Sequence, residues 1–205
     1  STDTLPLKKI EKKQRLALIL VAIIFMLWST EVFAMLTWLP QFLVEVYKLG
    51  GEDTILIYGL PAMLILIFNL IGGYLLKIRF PLILLLVLGL TVQVIVWFIL
   101  PLMNNPTMGL IGLTLFGIGA GITPACLFNA PSLILGPINT GARAFGIVMT
   151  GRSLGVLLGP ILVPQFLLLS GGWYDIGPFL GIILISAIAV TCGLQFIIRG
   201  TNVKE

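Results

Sequence analysis

The chain has 205 residues, 59% of them hydrophobic and 10% charged, with a formal net charge of +4 and a mean hydropathy of +1.14. Soluble domains carry about 25% charged residues, so this is read as an integral membrane protein. Its apolar runs are about 20 residues long, which selects helices over the alternating strands of about 10 residues in a membrane barrel. There is no histidine, which excludes histidine-based metal centres and histidine general bases. The basic residues sit at span ends, where membrane topology rather than nucleic acid accounts for them.

Residues 1–15, STDTLPLKKIEKKQR, are polar and basic and resemble no cleavable signal. They read as a cytoplasmic approach to the membrane. The chain also lacks an initiator Met, so it is expected to be a fragment or a processed piece. Span one runs from Leu16 to Leu39 and continues beyond the bilayer as PQFLVEVYKLG. The GGED turn then starts span two, Thr54 to Leu76, with Glu52 and Asp53 suiting a helix N-terminus. KIRF is a short basic turn, and Pro81 opens span three, which ends near Leu100. After the breaker-rich PLMNNPT comes span four, Met108 to Leu135, expected to be broken by Pro124 and Pro131. Span five, Ala144 to Leu169, follows GPINTGARA, and SGGWYDIGP is expected to be a turn before span six, Phe179 to Ile198. One transmembrane bundle thus occupies residues 16–198, with a short tail at 199–205.

Spans joined by short turns alternate across the membrane. That alternation sorts Lys8, Lys9, Lys12, Lys13, Arg15, Lys77, Arg79, Arg143, Arg199 and Lys204 to one side. Glu45, Lys48, Glu52, Asp53 and Asp175 fall on the other. The positive-inside rule then puts both termini in the cytoplasm. Two sets of three spans with opposite topology suit an inverted repeat. Cys126 and Cys192 lack a CxxC spacing, lie in apolar spans and read as small core residues.

Polar groups in hydrocarbon are costly, about 2.5–3.5 kcal/mol for a central charge on the translocon scale, so the deep ones are informative. Arg152 lies about 15 Å along its helix from Ala142, at about 1.5 Å per residue. Beside it Gly151, Gly155 and Gly159, four residues apart, put one stripe of missing side chains on a single helix face for close packing. Arg152 keeps its proton and needs an anion or water; the alternative is that it snorkels. Glu31 lies about 24 Å along its helix from Arg15, with Trp28, Met35 and Trp38 on its face. Two readings stay open: a binding cavity whose buried carboxyl exchanges protons, or a solvated carboxylate within an interfacial tryptophan belt. Asn69, Thr123 and Asn129 are lesser candidates, suited to substrate contact or to bonds across helices. Gln93 and Gln195 read as structural. No nucleophile elbow, HExxH, paired intramembrane aspartates or P-loop is present, so an enzyme is not expected, and no cofactor or metal is expected either.

Three stretches carry a family resemblance: TWLPQFLVEVYKLG after span one, GGYLLKIRFP between spans two and three, and GARAFGIVMTGRSLGVLLGP with the following GGW. Together they resemble the C-terminal six-helix half of a major facilitator superfamily transporter. In GGYLLKIRFP, Gly72, Lys77 and Arg79 match that family's inner loop, while its acidic residue and dense basic run are absent. The resemblance implies a partner half of six helices N-terminal to this chain. It also implies a cavity lined by spans one, two, four and five, with spans three and six toward lipid, and transport by alternating access. The expectation is a secondary transporter in the cytoplasmic membrane of a prokaryote, moving a small, anionic solute with Arg152, Asn69, Asn129, Trp28 and Glu31 at the site and Glu31 coupling protons. The alternative is a non-transporting six-helix subunit that scaffolds a partner protein.

Overall fold

The computed structural model describes residues 10–103, 105–136 and 140–199. The basic residues Lys8, Lys9 and Lys204 lie outside the described residues. The described chain forms six long helices: α1 (Lys12–Tyr47), α2 (Gly51–Lys77), α3 (Leu82–Ile99), α4 (Pro106–Leu135), α5 (Ala142–Ser170) and α6 (Trp173–Arg199). All six are long and apolar enough to cross a membrane.

The helix starts follow from local chemistry. A capping box opens α1: the Glu11 amide donates to Gln14 Oε1 at 3.1 Å, and the Glu11 side chain accepts in return. Glu52 and Asp53 sit in the first turn of α2, facing the positive end of its dipole. Asn105 caps α4, accepting from the Met108 amide at 3.0 Å. At 36 residues, α1 is about 54 Å long, so it overshoots a hydrocarbon core of about 30 Å.

Two expected boundaries differ. Pro124 and Pro131 lie inside an unbroken α4; each removes one backbone donor, and in a membrane bundle neighbouring groups compensate. The SGGWYDIGP turn is shorter than expected. Gly171, in the left-handed region at φ +79°, ends α5, and α6 starts at Trp173 with Asp175 in its first turn. The helix therefore carries Pro178 inside it rather than before it.

The packing has an internal two-fold pattern. The closest pairs are α1 with α5 and α2 with α4, while α3 packs on α4 and α6, and α6 packs on α1. Exchanging α1–α3 with α4–α6 maps α1–α5 onto α2–α4 and α3–α4 onto α1–α6, and leaves α3–α6 on itself, as two inverted three-helix repeats require. Small residues permit the two closest approaches. Gly151, Gly155 and Gly159 of α5 lie on the backbone of α1 at Ala22, Met26 and Thr30. A Cβ on Gly155 would sit 2.7 Å from Ser29 Cβ. The second seam is built the same way by Gly117, Gly121 and Ala125 of α4. A Cβ on Gly121 would lie 2.7 Å from the Ile65 carbonyl oxygen, and Gly72 of α2 meets Ala125. The core between the layers is apolar, with Leu18, Ile24 and Phe25 of α1, Leu86 and Leu90 of α3, Phe116 of α4 and Leu184 of α6 fully buried. Cys126 is buried there, whereas Cys192, expected in the core, is exposed on α6. Leu66, Leu70 and Tyr74 of α2 and Leu157 of α5 point outward.

Candidate functional site

Helix α5 crosses α1 along the ridge Ala22, Met26, Thr30 and Ala34, and one turn further the Trp38 indole donates to the Pro160 carbonyl oxygen at 3.0 Å. This ridge divides α1 into two sides. Phe33 and Glu31, two residues apart, stand about 200° apart around the helix. Phe33 is half-buried and Glu31 is sealed.

Arg152 belongs to the Phe33 side. Its guanidinium carbon lies 5.8 Å from the Phe33 ring centroid, within cation–π range. The direction of the side chain matters. Gly151 abuts Ala22, while the Phe33 backbone lies beside Gly159, two turns further along α5. The guanidinium therefore reaches away from the Ala142 end, toward the middle of the helix. A snorkelling arginine would take the opposite course, back to the nearer interface. Among the described residues no carboxylate pairs with Arg152. The side chain is half-buried, open to one side and stacked on the other.

Glu31 is fully buried among α1, α3 and α4. The Trp97 indole N–H of α3 donates to its Oε1, and Trp97 packs edge-on against Phe116 of α4 at 5.9 Å. The other oxygen, Oε2, has no partner. The reading of Glu31 as a solvated interfacial carboxylate is therefore corrected: apolar helices close over it. Its pairing with Arg152 is also absent, because the two stand on opposite sides of α1. One turn before Trp97, Gln93 Nε2 donates to Gly89 O at 2.9 Å and to Thr123 Oγ1 of α4 at 3.3 Å. So α3 ties itself to both central helices through buried polar groups.

The remaining candidates separate. Trp28 does not join Glu31; its ring lies 5.6 Å from Phe25, which meets Phe128 of α4 at 5.3 Å. The Trp28 indole nitrogen is buried without a partner. Asn129 is exposed, and its amide donates to the Ala125 carbonyl of its own helix at 2.8 Å. Asn69 is half-buried on α2, next to Phe68, which packs on Gly121. Met35 and Trp38 line an apolar cavity of about 60 Å³ at the end of the bundle near the α1–α2 turn. That end is fastened by Tyr47 Oη donating to Met103 O at 2.8 Å and by the Trp173 indole donating to Glu45 Oε2 at 2.6 Å.

Trp97 escaped the sequence reading. The available signal was the i, i+4, i+8 series Gly89, Gln93, Trp97, a face with a small, a polar and an amphipathic residue on a helix whose only other polar side chain is Thr91. The α4 stripe Gly117, Gly121 and Ala125 was equally legible and was also missed.

A family model described as Major Facilitator Superfamily matches residues 2–160 of the 205. No curated protein matches the chain.

Proposed function

We propose a transport function from one premise: this chain belongs to the Major Facilitator Superfamily. It is accordingly a multi-pass membrane protein and a secondary transporter, working by alternating access. In our reading the solute is small and carries an anionic group, a carboxylate or phosphate, that Arg152 engages. The observation that carries this is the guanidinium itself: intramembrane, directed inward over Phe33 and without an acidic partner among the described residues. An intramembrane arginine needs compensating charge or water, and a solute anion supplies it while making turnover depend on the solute. Asn69, Asn129 and Trp28 remain subsidiary contacts in this reading. A further six-helix half, packed on the apolar faces of α2 and α5, completes the path, with both termini of this chain in the cytoplasm.

We further read Glu31 as the proton-coupling group. Its burial and its unpartnered Oε2 support a carboxyl that trades its charge for a proton. It acts from within the bundle and does not touch the solute.

The test is counterflow in proteoliposomes with radiolabelled mono- and dicarboxylates, inorganic phosphate and sulfate. With the accepted anion, Arg152→Lys is expected to raise KM about tenfold or more, because a planar two-pronged donor is replaced by a point charge. Unchanged uptake kinetics in Arg152→Lys would overturn the anion reading. Glu31→Gln is expected to abolish gradient-driven accumulation and to spare exchange; equal loss of both would remove the coupling role.

A further inference from the structure

The Trp97 indole stands between two features. Its N–H holds the buried carboxyl of Glu31. Its ring forms part of the wall of the apolar cavity, with Met35, Trp38, Met103, Val163 and Leu180 among the other lining residues. The carboxyl has one donor and a second oxygen with none, so a charge there is poorly compensated. The cavity has almost no polar lining, so its walls offer water few hydrogen-bond partners and suit an aromatic ring. Two of its walls are methionines, which repack readily. A bond that depends on a charge thus adjoins room for the ring that makes it.

We propose that Trp97 is a latch. Bound to the ionised Glu31, it ties α3 to α1. When the carboxyl takes a proton from water the bond weakens, the indole turns into the cavity, and α3 is freed from α1. The inference rests on the coupling role assigned above to Glu31, and it makes Trp97 a positioning residue that never meets the solute. It also gives a carboxyl sealed away from Arg152 a route to act on transport: its charge state sets how firmly α3 holds α1. Among the described residues Tyr47 shares the cavity wall, with its hydroxyl donating to Met103 O, Glu45 of α1 is held by Trp173, and Glu52, Asp53 and Lys77 sit in the end turns of α2. The α3 helix has no ionisable side chain, and α4 has only Cys126. Arg152 of α5 lies on the other side of α1, and Arg143 is in the first turn of α5. Of the ionisable groups on α6, Tyr174, Asp175 and Arg199 sit in its end turns, and Cys192 is exposed.

The experiment is fluorine NMR of the full-length protein labelled with 5-fluorotryptophan in lipid nanodiscs. The Trp97 signal is assigned by its loss in Trp97→Phe or, if that variant fails to fold, by its displacement in Phe116→Leu. Titrated from about pH 5 to about pH 9, the Trp97 signal is expected to move in one step, and the step is expected to vanish in Glu31→Gln. A signal that stays fixed, or a step that survives Glu31→Gln, overturns the latch. Val163→Ile places one more carbon in the cavity and is expected to shrink the step. It should also slow gradient-driven uptake at least about fivefold, the rate equivalent of a modest overpacking penalty; an undiminished step overturns the movement into the cavity. The fluorine signal reads the latch without transport. Absent uptake with an intact step would therefore fail the transport reading alone.

Discussion

Substituting alanine at Gly151 tests the seam on which the architecture depends. The added Cβ would meet the Ala22 carbonyl and lie 2.6 Å from its carbon and 2.8 Å from its Cα. These are backbone atoms, so no side chain can rotate away, and α1 and α5 must separate. Overpacking of this kind costs about 1–3 kcal/mol or more. For a chain of this size about 1 kcal/mol moves Tm by about 2–4 °C, so Gly151→Ala should lower Tm by about 2–12 °C. Gly193→Ala is the control. It is also mid-helix, but a Cβ there meets nothing within 4 Å, and helix propensity should raise stability by up to about 1 kcal/mol. The chain supplies its own reporter: Cys126 is buried and Cys192 exposed. In a Cys192→Ala background, a thiol-reactive dye follows unfolding through Cys126. Equal Tm values for Gly151→Ala and the parent would refute the close seam.

Arg79 adopts a left-handed backbone at φ 66°, so Arg79→Gly should raise Tm by about 1–4 °C, equivalent to about 0.5–1 kcal/mol; a fall would show that its side chain carries the turn. Gln93 is fully buried with Oε1 unpartnered, so Gln93→Leu should change stability by less than about 1 kcal/mol, measured by the same dye assay. A larger loss would mean the Thr123 bond is a principal tie between α3 and α4. In native protein in bilayers both thiols should resist aqueous maleimide until denaturation, Cys126 because it is buried in the bundle and Cys192 because its exposed face meets lipid, as counted by mass spectrometry.

The spans were legible because a bilayer demands long apolar runs, and the α5 seam because glycines four apart can only stack. Which way a side chain points was harder to read. In a soluble helix the polar face marks the outside, but here lipid and core are both apolar. Nothing local distinguishes the side of α1 that meets α3 from the side that bears Phe33, so Glu31 could be ranked as important without being placed. Its partner was harder to see: Trp97 sits on the most apolar of the helices, where the single Gly89, Gln93, Trp97 face stands out only faintly. The prolines of α4 misled because their cost in water does not transfer to a bundle that compensates them. Cys192 misled because a thiol is as comfortable against lipid as in a core.

The separation of Glu31 from Trp97 along the chain has a consequence for how the protein is made. The two residues are 66 apart in sequence, so at about 5–20 residues per second the carboxyl waits roughly 3–13 s for its indole to be synthesised. The glycine surface that closes over α1 arrives later still, with α5. During that interval the first helix holds an acid that lipid does not tolerate in charged form. Entering the bilayer with the carboxyl protonated, or staying beside the insertion machinery or the preceding half, spares the nascent helix that charge until the third helix joins it.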